Sequence, residues 1–143
     1  MADNDLFSLI RVRTHTVEQK QKVLADLYQK ADELKNEREQ SLEKLEREKI
    51  KAQEMDVSML SYLGAYGDAV QERVEEIKEQ ELHLEKRIEI AQEDMRQAFA
   101  ELKKVEITQE NRKAEERAEL DKKEMDGLDE IAIETYRRNL EEG

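Results

Sequence analysis

Apolar residues recur along most of the chain at alternating spacings of three and four. The stronger series begins at Leu60, and mostly charged residues lie between its members. Its fourteen positions, all apolar except Gly67 and Glu81, are Leu60, Leu63, Gly67, Val70, Val74, Ile77, Glu81, Leu84, Ile88, Ala91, Met95, Ala98, Leu102 and Val105. This spacing over about six heptads predicts a long helix with a coiled-coil seam. At one of the two exceptions, Gly67, the missing side chain would let two helices approach closely.

A weaker seam occupies the first third of the chain. Its main sevenfold track, with Arg38 as an exception, comprises Ile10, Val17, Leu24, Ala31, Leu45 and Ala52. Three further residues join from a second track: Leu6, Leu27 and Leu34. Leu42 lies one position out of phase, which indicates a local stutter in the repeat.

The two seams lie on either side of the segment "EMDVSM", which predicts a chain reversal there. Asp56 or Ser58 would cap a new helix, because a short side-chain oxygen accepts hydrogen bonds from the free N–H groups of a first turn. A short turn makes neighbouring helices antiparallel. We therefore predict helix one at about 4–54, a turn at about 55–58 and helix two at about 58–139.

The predicted helices differ in length, so helix two should extend beyond its partner. With the turn near residue 56, the start of helix one lies opposite about residue 108. The second seam ends after Val105, because Gln109 and Arg112 occupy its next positions. The predicted fold is all-α: one domain, residues 1–143, forming a long antiparallel two-helix coiled-coil hairpin with an overhanging C-terminal helix.

The composition agrees with long helices and excludes several classes of protein. The chain contains no Pro, Cys or Trp, and 43% of its residues are charged. The absence of Pro permits long helices, and without Cys there is no disulfide framework. A net charge of -12 argues against nucleic acid as the main partner. No run of apolar residues is long enough to span a membrane, and the first residues do not read as a signal peptide.

No set of residues with catalytic or ligand-binding spacing occurs in the sequence. The pair Gly64 and Gly67 lacks the strand and the Lys of a phosphate-binding loop. No loop has the alternating ligands of a calcium site, and His15 and His83 lie far apart in the sequence. We expect no enzymatic activity, no cofactor and no metal.

Two tyrosines stand off the seam near the start of helix two. Tyr62, Tyr66 and Ala69 are spaced i, i+4 and i+7, so they form one stripe on the outer face of the helix. Two interpretations remain open. The tyrosines pack over helix one near Ile50 and Met55, or they form an exposed partner site, because tyrosine is common at protein contacts.

The C-terminal part of helix two changes character along its length. The run "TQENRKAEERAELDKKE" indicates a solvated helix. Apolar residues then return at Met125, Leu128, Ile131, Ala132, Tyr136 and Leu140. An apolar stripe on an unpaired helix either frays or self-associates, or it docks to another protein.

Three stretches resemble the FliJ family of the bacterial flagellar export apparatus: "LFSLIRVRTHTVEQKQKVLADL", "YLGAYGDAVQERVEEIKEQ" and "ERAELDKKEMDGLDEIAIETYRR". The resemblance covers nearly the whole chain and extends to the related stalk protein of virulence type III secretion systems. It implies a stalk that links a hexameric export ATPase to a membrane export gate protein. It also implies contact with export chaperones and a place in the cytoplasm, at the cytoplasmic face of the inner membrane and at most peripheral to it.

The resemblance also implies two partner sites. The ATPase-facing end would hold Leu6, Ile10, Arg13, Met125, Leu128, Ile131 and Tyr136. The gate-facing surface would hold Tyr62, Tyr66, Ala69 and Arg73. The alternatives are a homodimeric structural spacer, a virulence-system stalk and a chaperone that holds clients with apolar helix tips.

Overall fold

A computed structural model of the protein describes residues 2–54 and 57–142, with the side chains of residues 6–54 and 57–142. In this part of the chain two long helices contact each other as in a hairpin: α1 (Ala2–Ala52) and α2 (Val57–Glu142). The all-α prediction is confirmed. The predicted helix bounds differ from the observed ones by three residues or fewer.

The end of α1 is closed by its own backbone. The Gln53 N–H donates to the Lys49 carbonyl at 3.3 Å, and the Glu54 N–H donates to the Lys51 carbonyl at 3.2 Å. Basic side chains in this last turn also favour the negative end of the helix dipole. The predicted cap at Ser58 is wrong, because α2 begins at Val57 and Ser58 lies inside its first turn.

The other candidate cap, Asp56, lies outside the described residues, as does Met55. The predicted turn at about 55–58 therefore falls partly outside the described residues. From Val57 onward the chain is helical.

The structure divides into two units: His15–Phe99, and Met1–Thr14 with Ala100–Gly143. The His15–Phe99 unit contains both hydrophobic clusters that the described residues form. One cluster consists of Leu24, Leu27, Leu84 and Ala91, with Ala31, Leu34, Ile88 and Met95 packed against it. The other consists of Leu45, Val70 and Val74, with Leu42 and Tyr66 packed against it. Ile77 is completely buried.

Burial follows the predicted seams closely in this unit. The α2 seam positions from Leu63 to Ala98 are all buried or half-buried. Leu60 is the error, since it is 52% exposed. It lies in the first turn of α2, and at the end of a helix pair an apolar side chain has neighbours on one side only. Leu42, predicted to mark a stutter, is half-buried against the Leu45 cluster.

The charged residues that interrupt the two seams pair with each other. Arg38 Nε donates to Glu81 Oε1 at 2.8 Å, and the two side chains are 27% and 29% exposed. Each residue taken alone breaks the apolar pattern of its own helix. Together they replace one apolar contact between the helices with an ion pair.

Gly67 faces α1, but the contact does not require a glycine. A Cβ at Gly67 would lie 3.7 Å from Leu45 Cδ1, which is ordinary van der Waals contact. The prediction that Gly67 permits an unusually close approach of the helices is therefore wrong. An alanine would fit in the same space.

We expect Gly64→Ala to raise the free energy of unfolding by up to about 1 kcal/mol, because glycine lowers helix stability relative to alanine. Apart from the neighbouring residues and the backbone of the same helix turn, no atom lies within 4 Å of the added Cβ. The substitution therefore introduces no clash that would oppose the gain in stability. Urea unfolding followed by circular dichroism measures the change. A loss of stability would show that position 64 is not helical in solution.

The unit formed by Met1–Thr14 and Ala100–Gly143 has a buried and an exposed part. Leu102 and Gln109 are buried, and Val105 is half-buried. Burial therefore extends one seam position beyond the predicted end at Val105. From Glu110 to Glu142 every residue is exposed except Gly127, which is half-buried. Within the described residues, no helical segment has the length and apolar character needed to cross a membrane.

Candidate partner-binding surfaces

The first candidate is the tyrosine surface, defined as Tyr62, Tyr66, Ala69 and Arg73. The rings of Tyr62 and Tyr66 stack, with centroids 6.4 Å apart and planes inclined by 11°. Tyr66 is half-buried against the Leu45 cluster, whereas Tyr62 is 65% exposed. Tyr66 thus anchors the pair, and Tyr62 presents an aromatic face to solvent.

The alternative interpretation, in which the tyrosines pack near Ile50 and Met55, fits Tyr62 poorly. Ile50 is itself 62% exposed, and Met55 lies outside the described residues. Tyr62 instead borders two small crevices of about 110 Å³ and about 90 Å³. Lys44 lines the first, Lys51 lines the second, and Glu48 lines both. These volumes are too small for an ordinary small-molecule site but fit single side chains.

Arg73 is held within the chain. Its Nε and Nη2 donate to the two carboxylate oxygens of Glu37 at 2.9 and 3.1 Å, and its Nη1 donates to Glu76 Oε2 at 3.1 Å. Hydrogen bonds to Glu37 and then Glu76 raise the pKa of Arg73. The bond from Arg73 lowers the pKa of Glu37. Arg73 therefore joins α2 to α1 below the tyrosines.

The Glu37–Arg73 pair predicts a pH-dependent contribution to stability. The folded-state pKa of Glu37 lies below its ordinary value of 4.5. The contribution is therefore present at pH values above that value and is lost as the pH falls through the lowered pKa. We expect Glu37→Gln to lower the melting temperature at pH 7, and the difference from wild type to shrink below about pH 4. In an Arg73→Met background the same substitution should show no such trend. A pH-independent difference would contradict the pairing.

The second candidate is the C-terminal stripe, defined as Met125, Leu128, Ile131 and Tyr136. All four side chains are exposed, by 63–66% of their surface. At 100° per residue, Met125 and Ile131 each lie about 60° from Leu128, so the stripe follows one side of α2. Four large apolar side chains open to solvent on one helix are typical of a protein-binding surface.

The three α1 residues predicted to join the stripe have a different environment. Leu6, Ile10 and Arg13 are half-buried. Arg13 Nε is buried without a hydrogen-bond partner in the described part of the chain. Of the seven residues predicted to face the ATPase, only the four on α2 form an open apolar surface.

A groove that the sequence did not reveal lies in the His15–Phe99 unit. It measures about 620 Å³ and is lined by Lys30, Glu33, Leu34, Glu37, Glu76, Glu79, Gln80, His83, Leu84 and Arg87. Its walls come from both helices, so only knowledge of their pairing would have located it. Among the described residues no group of three or more metal-binding side chains converges, here or elsewhere.

Comparison with known proteins identifies a family for the chain. The sequence profile of the family described as Flagellar FliJ protein matches residues 4–141. No curated protein and no solved structure matches the chain. The profile match covers nearly the whole length, including both helices and both candidate surfaces.

Proposed function

Because the chain belongs to the flagellar FliJ family, we propose that it is a non-enzymatic stalk of the bacterial flagellar type III protein export apparatus. The family belongs to the flagellar export apparatus, which implies protein partners within it. In this proposal the chain links the export ATPase hexamer to the membrane export gate protein, and it also meets export chaperones. It would act in the cytoplasm, at the cytoplasmic face of the inner membrane.

The proposed architecture is a single domain with the two helices in an antiparallel coiled coil. The order of the contacts supports this architecture, because residues earlier in α1 contact residues later in α2. Arg38 contacts Glu81, and ten residues earlier on α1 Tyr28 accepts a hydrogen bond from Gln92 at 2.7 Å. Within the unit formed by Met1–Thr14 and Ala100–Gly143, the last buried residue of α2 is Gln109. This supports a C-terminal overhang that α1 does not cover.

The observation that carries the ATPase contact is the exposed C-terminal stripe. Its four apolar side chains lie in a segment where the chain buries nothing of its own. Burying a large apolar side chain contributes about 1.5–3 kcal/mol, so a complementary cleft on the ATPase ring would gain substantially. Leu6, Ile10 and Arg13 belong to the same proposed end, where their half-buried side chains would support the contact from α1.

The gate contact is proposed for the tyrosine surface. Tyr62 supplies an exposed aromatic anchor flanked by two crevices that each fit one side chain. Tyr66 and Arg73 fix this surface through their contacts with α1. Ala69 has a small side chain, so it leaves room for a partner beside them. Exposed tyrosines of this kind often contribute most of the energy of a protein interface.

We expect Tyr62→Ala to weaken binding to the cytoplasmic part of the gate protein by about tenfold or more, with helicity unchanged. Tyr62 is the cleaner target, because removing Tyr66 would also remove packing from the Leu45 cluster. Tyr28→Ala, at a tyrosine 44% exposed on α1, serves as the matched control. Binding by calorimetry decides the matter, and equal affinities of both variants and wild type would dismiss the tyrosine surface as the gate site.

The homodimeric spacer is less well supported than the stalk. Val74 and Ile77 are almost completely buried by a single chain, so the seam is filled without a second copy. The virulence-system stalk shares the proposed mechanism, but the matching family is the flagellar one.

A further inference from the structure

Charged residues from both helices form a layer at the seam of the His15–Phe99 unit: Arg38 and Glu81 occupy seam positions, and Glu37 and Arg73 lie beside the seam. The charged layer is defined as Glu37, Arg38, Arg73 and Glu81. Arg38 pairs with Glu81 at 2.8 Å, and Arg73 holds both carboxylate oxygens of Glu37 at 2.9 and 3.1 Å. Both pairs join α1 to α2. On α1 they lie between the residues of the two hydrophobic clusters, and on α2 Arg73 and Glu81 flank the completely buried Ile77, so charged contacts accompany the apolar ones here.

The apolar seams alone do not select one alignment of the helices. The α2 seam and the main track of α1 both repeat every seven residues, so a slip of one heptad again places the apolar residues of this track against the α2 seam. Such a slip requires the chain reversal to move by a few residues. Few contacts at the start of α2 oppose this movement. Val57 and Leu60 are 80% and 52% exposed, and nothing lies within 4 Å of the position that a Cβ at Gly64 would occupy.

A one-heptad slip would separate Arg38 from Glu81 and leave each charge without its partner. It would bring Arg38 to Val74 or Ile88 in place of Glu81, depending on its direction. It would likewise bring Glu81 to Ala31 or Leu45 in place of Arg38. Both charges would then be partly desolvated against apolar neighbours, which is costly without a partner.

The same slip would turn the second pair into a repulsion in both directions. Seven residues before Glu37 is Lys30, and seven residues after it is Lys44. Arg73 would meet a lysine in place of Glu37 whichever way the helices moved. Glu37 is thus the one acidic residue among these three heptad-related positions, and like charges at close range oppose the wrong alignments.

We propose that the charged layer fixes the register of α1 against α2 by excluding one-heptad slips. Beyond the stability that the Glu37–Arg73 pair contributes, its role is selection of one alignment. Apolar residues in place of a partly buried ion pair are often as stable or more stable, whereas single polar positions in a seam are well known to specify register. The inference rests on contacts within one unit and does not depend on the proposed export function.

The register is measured by crosslinking, because the chain contains no native cysteine. Tyr28→Cys with Gln92→Cys reports the observed register, in which these two side chains are in contact. Tyr28→Cys with Glu85→Cys, and Tyr28→Cys with Phe99→Cys, report the two slips. One heptad shifts the helices by about 10 Å, which a short bis-maleimide crosslinker distinguishes, since each maleimide adds to one cysteine thiol.

Two sets of substitutions test the layer in the full-length chain. Arg38→Leu, Glu81→Leu, Glu37→Lys and Arg73→Glu together leave an ion pair available in every register and an apolar seam. We expect this chain to remain helical and to form slipped crosslinks at levels comparable with the 28–92 product. The control carries only Arg38→Leu and Glu81→Leu, and we expect it to keep the 28–92 product, because Arg73 still meets Lys30 or Lys44 on slipping.

Crosslinking of the four-substitution chain at 28–92 alone would overturn the proposal. Slipped products in the control at the same level as in the four-substitution chain would overturn the role of Arg73. If the four-substitution chain loses helicity, Arg73→Glu alone carries the test, since it sets like charges together at the Glu37 contact. We expect this single variant to raise slipped products severalfold above wild type, and an unchanged pattern would refute the layer's role.

Discussion

The substitution Ile77→Asp is expected to remove most of the free energy of unfolding of the two-helix pair, so that its cooperative melting transition is largely lost. Ile77 is completely buried on α2, in the seam that faces α1. Removing a buried isoleucine side chain costs about 2–5 kcal/mol, and an unpaired carboxyl in its place adds a desolvation cost. The sum is of the order of the whole stability of a small domain, about 5–15 kcal/mol. Circular dichroism with thermal melting measures the loss directly.

Ile90→Asp is the matched control for Ile77→Asp, because it is the same change on the same helix at a residue 63% exposed. We expect its free energy of unfolding to stay within about 0.5 kcal/mol of wild type. Similar melting curves for the two variants would show that the seam does not face α1 at Ile77. Retained stability in Ile77→Asp would by itself refute the observed packing.

The pair of substitutions Leu128→Glu and Ile131→Glu is expected to weaken binding to the export ATPase by about 100-fold or more. Both side chains belong to the C-terminal stripe and are 65% and 63% exposed. Both are hot-spot candidates at a proposed interface, and a loss of about 1.4 kcal/mol at each gives the 100-fold effect, about 2.8 kcal/mol in total. The helicity of the free chain should not change, since both side chains are mostly exposed. Titration of the purified ATPase with each variant measures the affinity.

Ile133→Glu provides the control for the stripe variant. Ile133 is 55% exposed, and at 100° per residue it lies about 140° from Leu128 and about 160° from Ile131, so it is remote from both substituted positions. We expect it to bind the ATPase with nearly wild-type affinity. If Ile133→Glu weakens binding as much as the stripe variant, general charge rather than the stripe governs the contact. Unchanged binding by the stripe variant would remove the stripe from the proposed interface.

The helices and their contacting faces were predictable because their pattern is strictly local. A three-four spacing over many turns places the residues of the series on one side of a helix, and burial from Leu63 to Ala98 follows the series. The pairing of Arg38 with Glu81 is less local. Each residue is visible in the sequence as an exception to its seam, and only the alignment of two helices shows that the exceptions meet.

The parts that the sequence did not predict depend on side-chain environment. Spacing places Tyr62 and Tyr66 on one face, but it does not show that Tyr66 is anchored while Tyr62 is open. It also does not show that Glu37 and Glu76 hold Arg73, or that Gln109 is buried where a polar residue suggested the seam had ended. Long side chains reach a turn or more along a helix pair, and this reach is invisible to a pattern of apolar positions.

Bridging of the two proposed partners tests the central claim most directly. The cytoplasmic part of the gate protein is immobilised, and retention of the export ATPase is measured with and without the full-length chain. The stalk account predicts that the ATPase is retained only when the chain is present. It further predicts that either Tyr62→Ala or the Leu128→Glu, Ile131→Glu pair reduces retention. Equal retention of the ATPase without the chain, or binding of the chain to one partner only, would contradict the account.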